Sequence, residues 1–199
     1  DGAFVAVALD RTGHPDQARR VFDFMAALPL DEASGFDARY ALAGARVEGE
    51  RRGPQSDGCG WVLWALGEIA RLHPSSLPPS APGLRDRCVA NLLTLTGGGG
   101  RLPPPSPDYW EVPVTTTTLG TVAPMRAGLA AAARAYDAAG RPTDAAACRE
   151  ASRRLGRVVD GAFGPRYERY GDRGGLDAAV AVLMPPFTEP TPLIERRWA

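Results

Sequence analysis

Helical periodicity, cut at intervals by proline and glycine, leaves this chain few folds to choose from. Apolar residues recur at i, i+3, i+4 spacing through most of it. Four such runs begin at Gly2, Asp57, Thr118 and Gly174, roughly 55 to 60 residues apart. Three of them are followed by a break and a second helix. Gly2–Thr12 stops at Gly13-His14-Pro15, and Asp16–Leu28 follows with Ala18, Val21, Phe22 and Met25 on one face. Asp57–Leu72 leads through the proline-rich connector Pro74–Pro82 to Leu84–Thr96, which Gly97–Gly100 ends. Thr118–Ala139 has Pro124 near its first turns as the place for a kink. It gives way at Gly140-Arg141-Pro142 to a helix that Thr143 caps and that runs to about Val159. Gly174–Leu183 is the last run, and Pro185, Pro186, Pro190 and Pro192 break the tail into irregular structure. Strand-like sequence is confined to Val112–Thr117 and to Phe36–Tyr40 inside the long loop Pro29–Pro54. The expected fold is all-α, built of stacked helical hairpins, with residues 1–199 forming part of a single domain.

Charge and cysteine usage narrow the function. The formal net charge is zero and no basic run occurs, so neither nucleic acid nor an anionic membrane surface is an expected partner. No apolar run is long enough to span a bilayer, and the start does not read as a signal peptide, so a cytoplasmic location is expected. Asp1 opens directly into an apolar helical pattern with no lead-in, as in a chain that belongs to a longer one. Cys59, Cys88 and Cys148 are isolated, with no CxxC or Cys/His spacing, and read as small buried hydrophobes rather than a disulfide framework or a metal site. His14 and His73 fall at helix ends, where they suit the dipole.

Antiparallel hairpins place their long connections at one end, and here those connections carry the polar and aromatic residues. Three clusters stand out: Asp1-Gly2-Ala3-Phe4, Pro54-Gln55-Ser56-Asp57-Gly58 and Pro107-Asp108-Tyr109-Trp110-Glu111. A glutamate flanked by aromatics can keep its proton near neutrality, because the low polarity around it disfavours the charged form, and aromatic faces can stack on a sugar ring. Glu111 is therefore the candidate acid. Tyr109 and Trp110 are candidates for shaping the pocket, and Arg39 and Tyr40 for lining it or for packing their loop.

In that order, Asp1-Gly2-Ala3-Phe4, Gln55-Ser56-Asp57-Gly58-x-Gly60-Trp61-x-Leu63-Trp64-Ala65-Leu66 and Asp108-Tyr109-Trp110-Glu111 resemble glycoside hydrolase family 15, the family of glucoamylases, glucodextranases and isomaltose glucohydrolases. The resemblance implies an (α/α)6 toroid of six helical hairpins, of which about seven of the twelve helices would lie in this chain. It implies exo-acting hydrolysis of an α-glucosidic bond with inversion, on short α-glucans or isomaltose-type sugars, without metal or organic cofactor. It makes Glu111 the general acid, Asp1 a ligand of the terminal glucose, and Gln55 and Asp57 the polar pair at the start of the next inner helix. The chain departs from the family's pattern at Val112, where a second glutamate is usual, and at Arg51 and Gly53, where an aromatic and an arginine respectively are usual. Nothing in it matches the family's general base, which the resemblance puts on a late helix outside these residues.

Plainer roles compete for the same residues. Asp1 and Asp57 suit helix N-caps, a role compatible with sugar binding. Trp61 and Trp64, three apart on an apolar helix, read as core. Tyr167, Tyr170, Asp172 and Asp177 precede or open the last run, where the family also brings residues toward its cavity. A non-catalytic helical toroid that binds glycans or a protein partner is the alternative function. A third reading is a helical scaffold whose exposed hairpin faces pack on the rest of the ring or on another chain.

Overall fold

The structure is a computed structural model that describes residues 1–50 and 53–198. It is all-α, with seven α-helices among the described residues, α1 (Gly2–Arg11), α2 (Pro15–Ala27), α3 (Gly58–Leu72), α4 (Ala81–Thr96), α5 (Leu119–Ala138), α6 (Pro142–Phe163) and α7 (Pro192–Trp198), and short 3₁₀ turns at Pro74–Ser76 and Ala178–Leu183. Among the described residues there is no strand. The strand expected within Phe36–Tyr40 is reduced to the isolated bridges Phe36–Gln55 and Tyr40–Arg46.

Consecutive helices pair as hairpins, α1 with α2, α3 with α4 and α5 with α6. The first members lie side by side, α1 against α3 and α3 against α5, while α2, α4 and α6 follow one another behind them. Burial tracks this order. Every residue from Leu119 to Leu129 of α5 is buried, as expected of a helix with no solvent face. The α2 helix buries only Ala18 and Phe22.

Glycine sets the distance between α3 and α5. A Cβ on Gly128 would lie 2.6 Å from the Gly60 carbonyl oxygen, and one on Gly67 would lie 2.8 Å from the Ala131 Cβ. The two backbones can approach only because these side chains are missing. Pro124 sits inside α5 against Gly60, and the helix runs on through it.

Several expectations are corrected. The run Gly174–Leu183 is not an α-helix. Gly174 and Gly175 take positive φ, Asp177 is extended, and only a 3₁₀ turn from Ala178 follows. The tail is not wholly irregular, because α7 forms with Pro192 at its first position, where a missing N–H is harmless. The same logic starts α4 at Ala81 with Pro82 inside its first turn, and starts α6 at Pro142, so Thr143 is not its cap.

Asp1 and Asp57 occupy N-cap positions but make no side-chain cap bond. Asp57 is already helical, with φ −74° and ψ −18°, so its carboxyl cannot reach back as an extended N-cap residue can. Thr118 is extended and accepts a hydrogen bond from the Thr121 amide at 3.1 Å. The three cysteines are buried and free, as expected. His73 does more than face a dipole: its Nδ1 lies 2.7 Å from Asp10 Oδ2 and links the end of α3 to α1.

Candidate functional site

Three separate segments meet at one end of the hairpins: the start of α1, the approach to α3, and the turn before α5. A pair of buried serines ties the second to the third. Ser56 donates its hydroxyl to Ser106 Oγ at 2.8 Å, and the Ser56 amide donates to the same oxygen at 3.2 Å. Thr117 donates to the Pro103 carbonyl at 2.6 Å and fixes the far side of the proline-rich loop. Proline supplies extended backbone there, and these hydroxyls take up carbonyls that no ladder would satisfy.

The segments enclose a hollow of about 610 Å³, the size class of a small-molecule site. Asp1, Gln55, Asp57, Tyr40, Tyr109 and Glu111 all contribute to its lining. Its floor is aromatic. The Phe4 ring lies 4.9 Å from Trp61 and 5.0 Å from Trp64, and Phe187 lies 5.1 Å from Trp64. Trp64 is buried; Trp61 is partly buried and packs against the core as expected, and it also faces the hollow. Val21, Met25 and Leu28 make one wall, and Ala179 and Val182 another.

Asp57 carries the most perturbed carboxyl of the hollow. Burial pushes its pKa up to about 7, with the neighbouring Asp108 adding to the rise and the Trp61 hydrogen bond opposing it. Trp61 Nε1 donates to Asp57 Oδ2 at 3.1 Å, one helical turn away. A carboxyl poised near neutrality can hold a proton for a ligand or accept one from it.

Glu111 is exposed and closes a tight turn, its amide donating to the Asp108 carbonyl at 2.7 Å. Its φ is 53°, a left-handed conformation that non-glycine residues rarely take and that must be held from outside. The holding groups are buried. Asp108, fully buried, accepts from the Trp110 amide at 3.0 Å, Thr118 Oγ1 at 2.7 Å and Arg169 Nη2 at 2.9 Å. Arg169 also reaches Asp177 Oδ2 at 3.3 Å, and Asp177 accepts from the Tyr109 hydroxyl and, at 3.1 Å, from Trp110 Nε1. Burial raises the Asp177 carboxyl, but the bonds from Tyr109, Ala179, Trp110 and Arg169 outweigh it and hold its pKa below the ordinary value. Burial and the Asp177 charge push the Tyr109 phenol up.

Two expected site residues lie outside the hollow. Trp110 does not line it; the residue is 58% exposed, and its ring packs 5.8 Å from Tyr109 and turns its Nε1 to Asp177. Arg39 faces Glu50 at 3.9 Å instead. Tyr40 lines the hollow while its hydroxyl donates to the Pro29 carbonyl at 2.7 Å and accepts from the Asp37 amide, so it also folds its own loop. Gly53 is exposed, and Arg51 lies outside the described residues. Tyr167 is wholly buried and donates to Asp160 at 2.7 Å, which makes it a core residue. Asp172 is exposed and contributes nothing to the hollow.

Sequence reasoning passed over Asp108, Arg169 and Phe187 as parts of the site. Asp108 opens the acidic-aromatic cluster and was legible there. Phe187 sits among prolines with no periodicity to mark it. Among the described residues no cluster of His, Cys, Asp and Glu has the geometry to hold a metal ion, and no helix is long and apolar enough to cross a membrane. No family model, curated protein or solved structure matches the chain.

Proposed function

We propose that this chain is part of an inverting, exo-acting α-glucosidase of the glucoamylase type, acting on short α-glucans or isomaltose-type sugars. One observation carries the reading. Asp1, Gln55, Asp57, Tyr109 and Glu111, five of the residues picked out by three sequence motifs, line a single hollow although the motifs lie more than 50 residues apart in sequence. In this reading α1, α3 and α5 form an arc of the inner ring of an (α/α)6 toroid, and α2, α4 and α6 the matching arc of the outer ring. Glu111 stands at the rim as the acid that protonates the leaving oxygen. Asp1, Gln55 and Asp57 hold sugar hydroxyls, and the aromatic floor offers ring faces for stacking. The general base comes from a later helix of the ring, with the two carboxyls roughly 6.5–9.5 Å apart to admit a water.

A second reading, a non-catalytic helical module that packs on a protein partner, is favoured by the apolar wall. Phe4 and Phe24, which line the hollow, are 43% and 37% exposed, more bare hydrocarbon than a sugar site calls for. The test is Glu111→Gln in the intact protein. Loss of the acid should cut release of β-glucose from α-linked oligosaccharides by about 10²- to 10⁴-fold while binding is kept. Unchanged turnover would remove Glu111 from the reaction, and absence of turnover in the unmodified protein would favour the packing module.

A further inference from the structure

Asp177 sits where the wall of the hollow meets the turn that carries Glu111. Its Oδ1 accepts from the Ala179 amide at 2.8 Å and so starts the 3₁₀ turn Ala178–Leu183, whose residues Ala178, Ala179 and Val182 line the hollow. The same carboxylate takes the Tyr109 hydroxyl on Oδ1 and the Trp110 indole on Oδ2, from the other side of the site. Arg169 closes the arrangement by joining Asp177 to Asp108, which in turn holds the Trp110 amide. Four donors thus converge on one carboxylate, about as many as its lone pairs can accept.

We propose that Asp177 is a positioning residue: it fixes the Tyr109–Glu111 turn to the wall of the hollow and so sets the direction from which Glu111 meets a bound ligand. The proposal rests on the reading of Glu111 given above. Two features argue for positioning rather than for general stability. Tyr109 and Trp110 are 44% and 58% exposed, so burial alone does not fix them, and the directional bonds to Asp177 must. Glu111 is in a left-handed conformation that persists only where its surroundings over-determine it. The helices α3, α5 and α6 pack through residues that Asp177 does not bond. A displacement of about 1 Å at a reacting group can cost on the order of 10²-fold in rate.

The experiment compares the intact protein with Asp177→Ala and Asp177→Asn, by amide hydrogen exchange and by hydrolysis of maltose and isomaltose. In Asp177→Ala, exchange at Trp110 and Glu111 should quicken about tenfold or more while α5 keeps its protection. The kcat should fall on the order of 10²-fold with KM little changed. Asp177→Asn keeps one acceptor oxygen and should recover part of both. Unchanged exchange at the turn in Asp177→Ala overturns the proposal. If that variant loosens α5 as well, Asp177→Asn decides: faster exchange confined to the turn supports the role, and exchange like the parent's overturns it. A parent protein that cleaves neither sugar ends the glucosidase reading alone, and the exchange comparison still decides what Asp177 does.

Discussion

The Trp61 indole donates its one hydrogen bond to the Asp57 carboxyl, Nε1 to Oδ2 at 3.1 Å, at the floor of the hollow. The bond favours the ionised acid, yet burial prevails and the Asp57 pKa lies near 7, against 3.8 for an ordinary aspartate. Below pH about 4 the group is protonated whether the chain is folded or not, and it costs nothing. Between about pH 4 and 7 the unfolded chain releases this proton and the folded one keeps it, so stability falls as pH rises. Above pH 7 the full penalty stands, on the order of 4 kcal/mol at most. Asp57→Asn should therefore gain stability over the parent as pH is raised from 4 to 8, read from denaturant midpoints. Parallel midpoint curves for the two proteins would contradict the burial of this charge.

Glu111→Gly separates strain from chemistry. The left-handed backbone costs an ordinary residue roughly 1–2 kcal/mol, and glycine's extra freedom when unfolded takes back about 0.5–1 kcal/mol. The variant should be more stable by up to about 1.5 kcal/mol, a rise of a few degrees in Tm, while any hydrolysis of α-linked sugars that rests on the proposed role of Glu111 disappears. Lower stability with activity intact would mean that the conformation of this turn is not held for function.

Gly128→Ala probes the contact between α3 and α5. Its methyl group would lie 2.6 Å from the Gly60 carbonyl oxygen, a backbone atom that cannot turn aside. The helices must separate, at a cost of about 1–3 kcal/mol, and thermal unfolding should show the loss. Gly161→Ala is the control on α6, since a methyl group there meets nothing within 4 Å, and it should be neutral or mildly stabilising.

Arg126 is a buried cation with few partners. Nη2 donates to the Glu189 carbonyl at 2.6 Å, while Nε and Nη1 are buried without a hydrogen bond among the described residues. Burial lowers its pKa, against the pull of Asp160, Tyr167 and Glu189. Asp160 is already bonded by Tyr167 and Thr191, so it does not depend on Arg126 for a donor. Arg126→Met, of similar length, should leave stability within about 1 kcal/mol of the parent or raise it. A loss above about 3 kcal/mol, by chemical denaturation, would show that the Arg126–Asp160 attraction outweighs the burial of the cation.

The hairpins were legible because a helix is written in consecutive residues. Apolar spacing in Asp16–Leu28 and Asp57–Leu72, with Gly and Pro between runs, fixed those elements to within a residue or two. The Gly174–Leu183 run misled for the same reason: its apolar pattern is local, but Gly174 and Gly175 with positive φ and the extended Asp177 spoil the α-helix before it starts. The three motifs named most of the polar lining residues, Asp1, Gln55, Asp57, Tyr109 and Glu111, because polar side chains stand out at helix starts. They could not divide Trp61 from Trp110, one facing the hollow and the other turned to Asp177, since the direction of the Trp110 indole depends on a partner far along the chain.

Residue order by itself set where the helices run, how they pair and which polar side chains lie at their starts, because backbone propensity and amphipathic spacing act over a few neighbours. Tertiary structure alone decided that Asp57 holds a proton near neutrality and that Asp177 anchors the Glu111 turn. The first depends on exclusion of water around Asp57 and the second on donors from Tyr109 and Trp110, more than 60 residues from Asp177, and no local pattern encodes either.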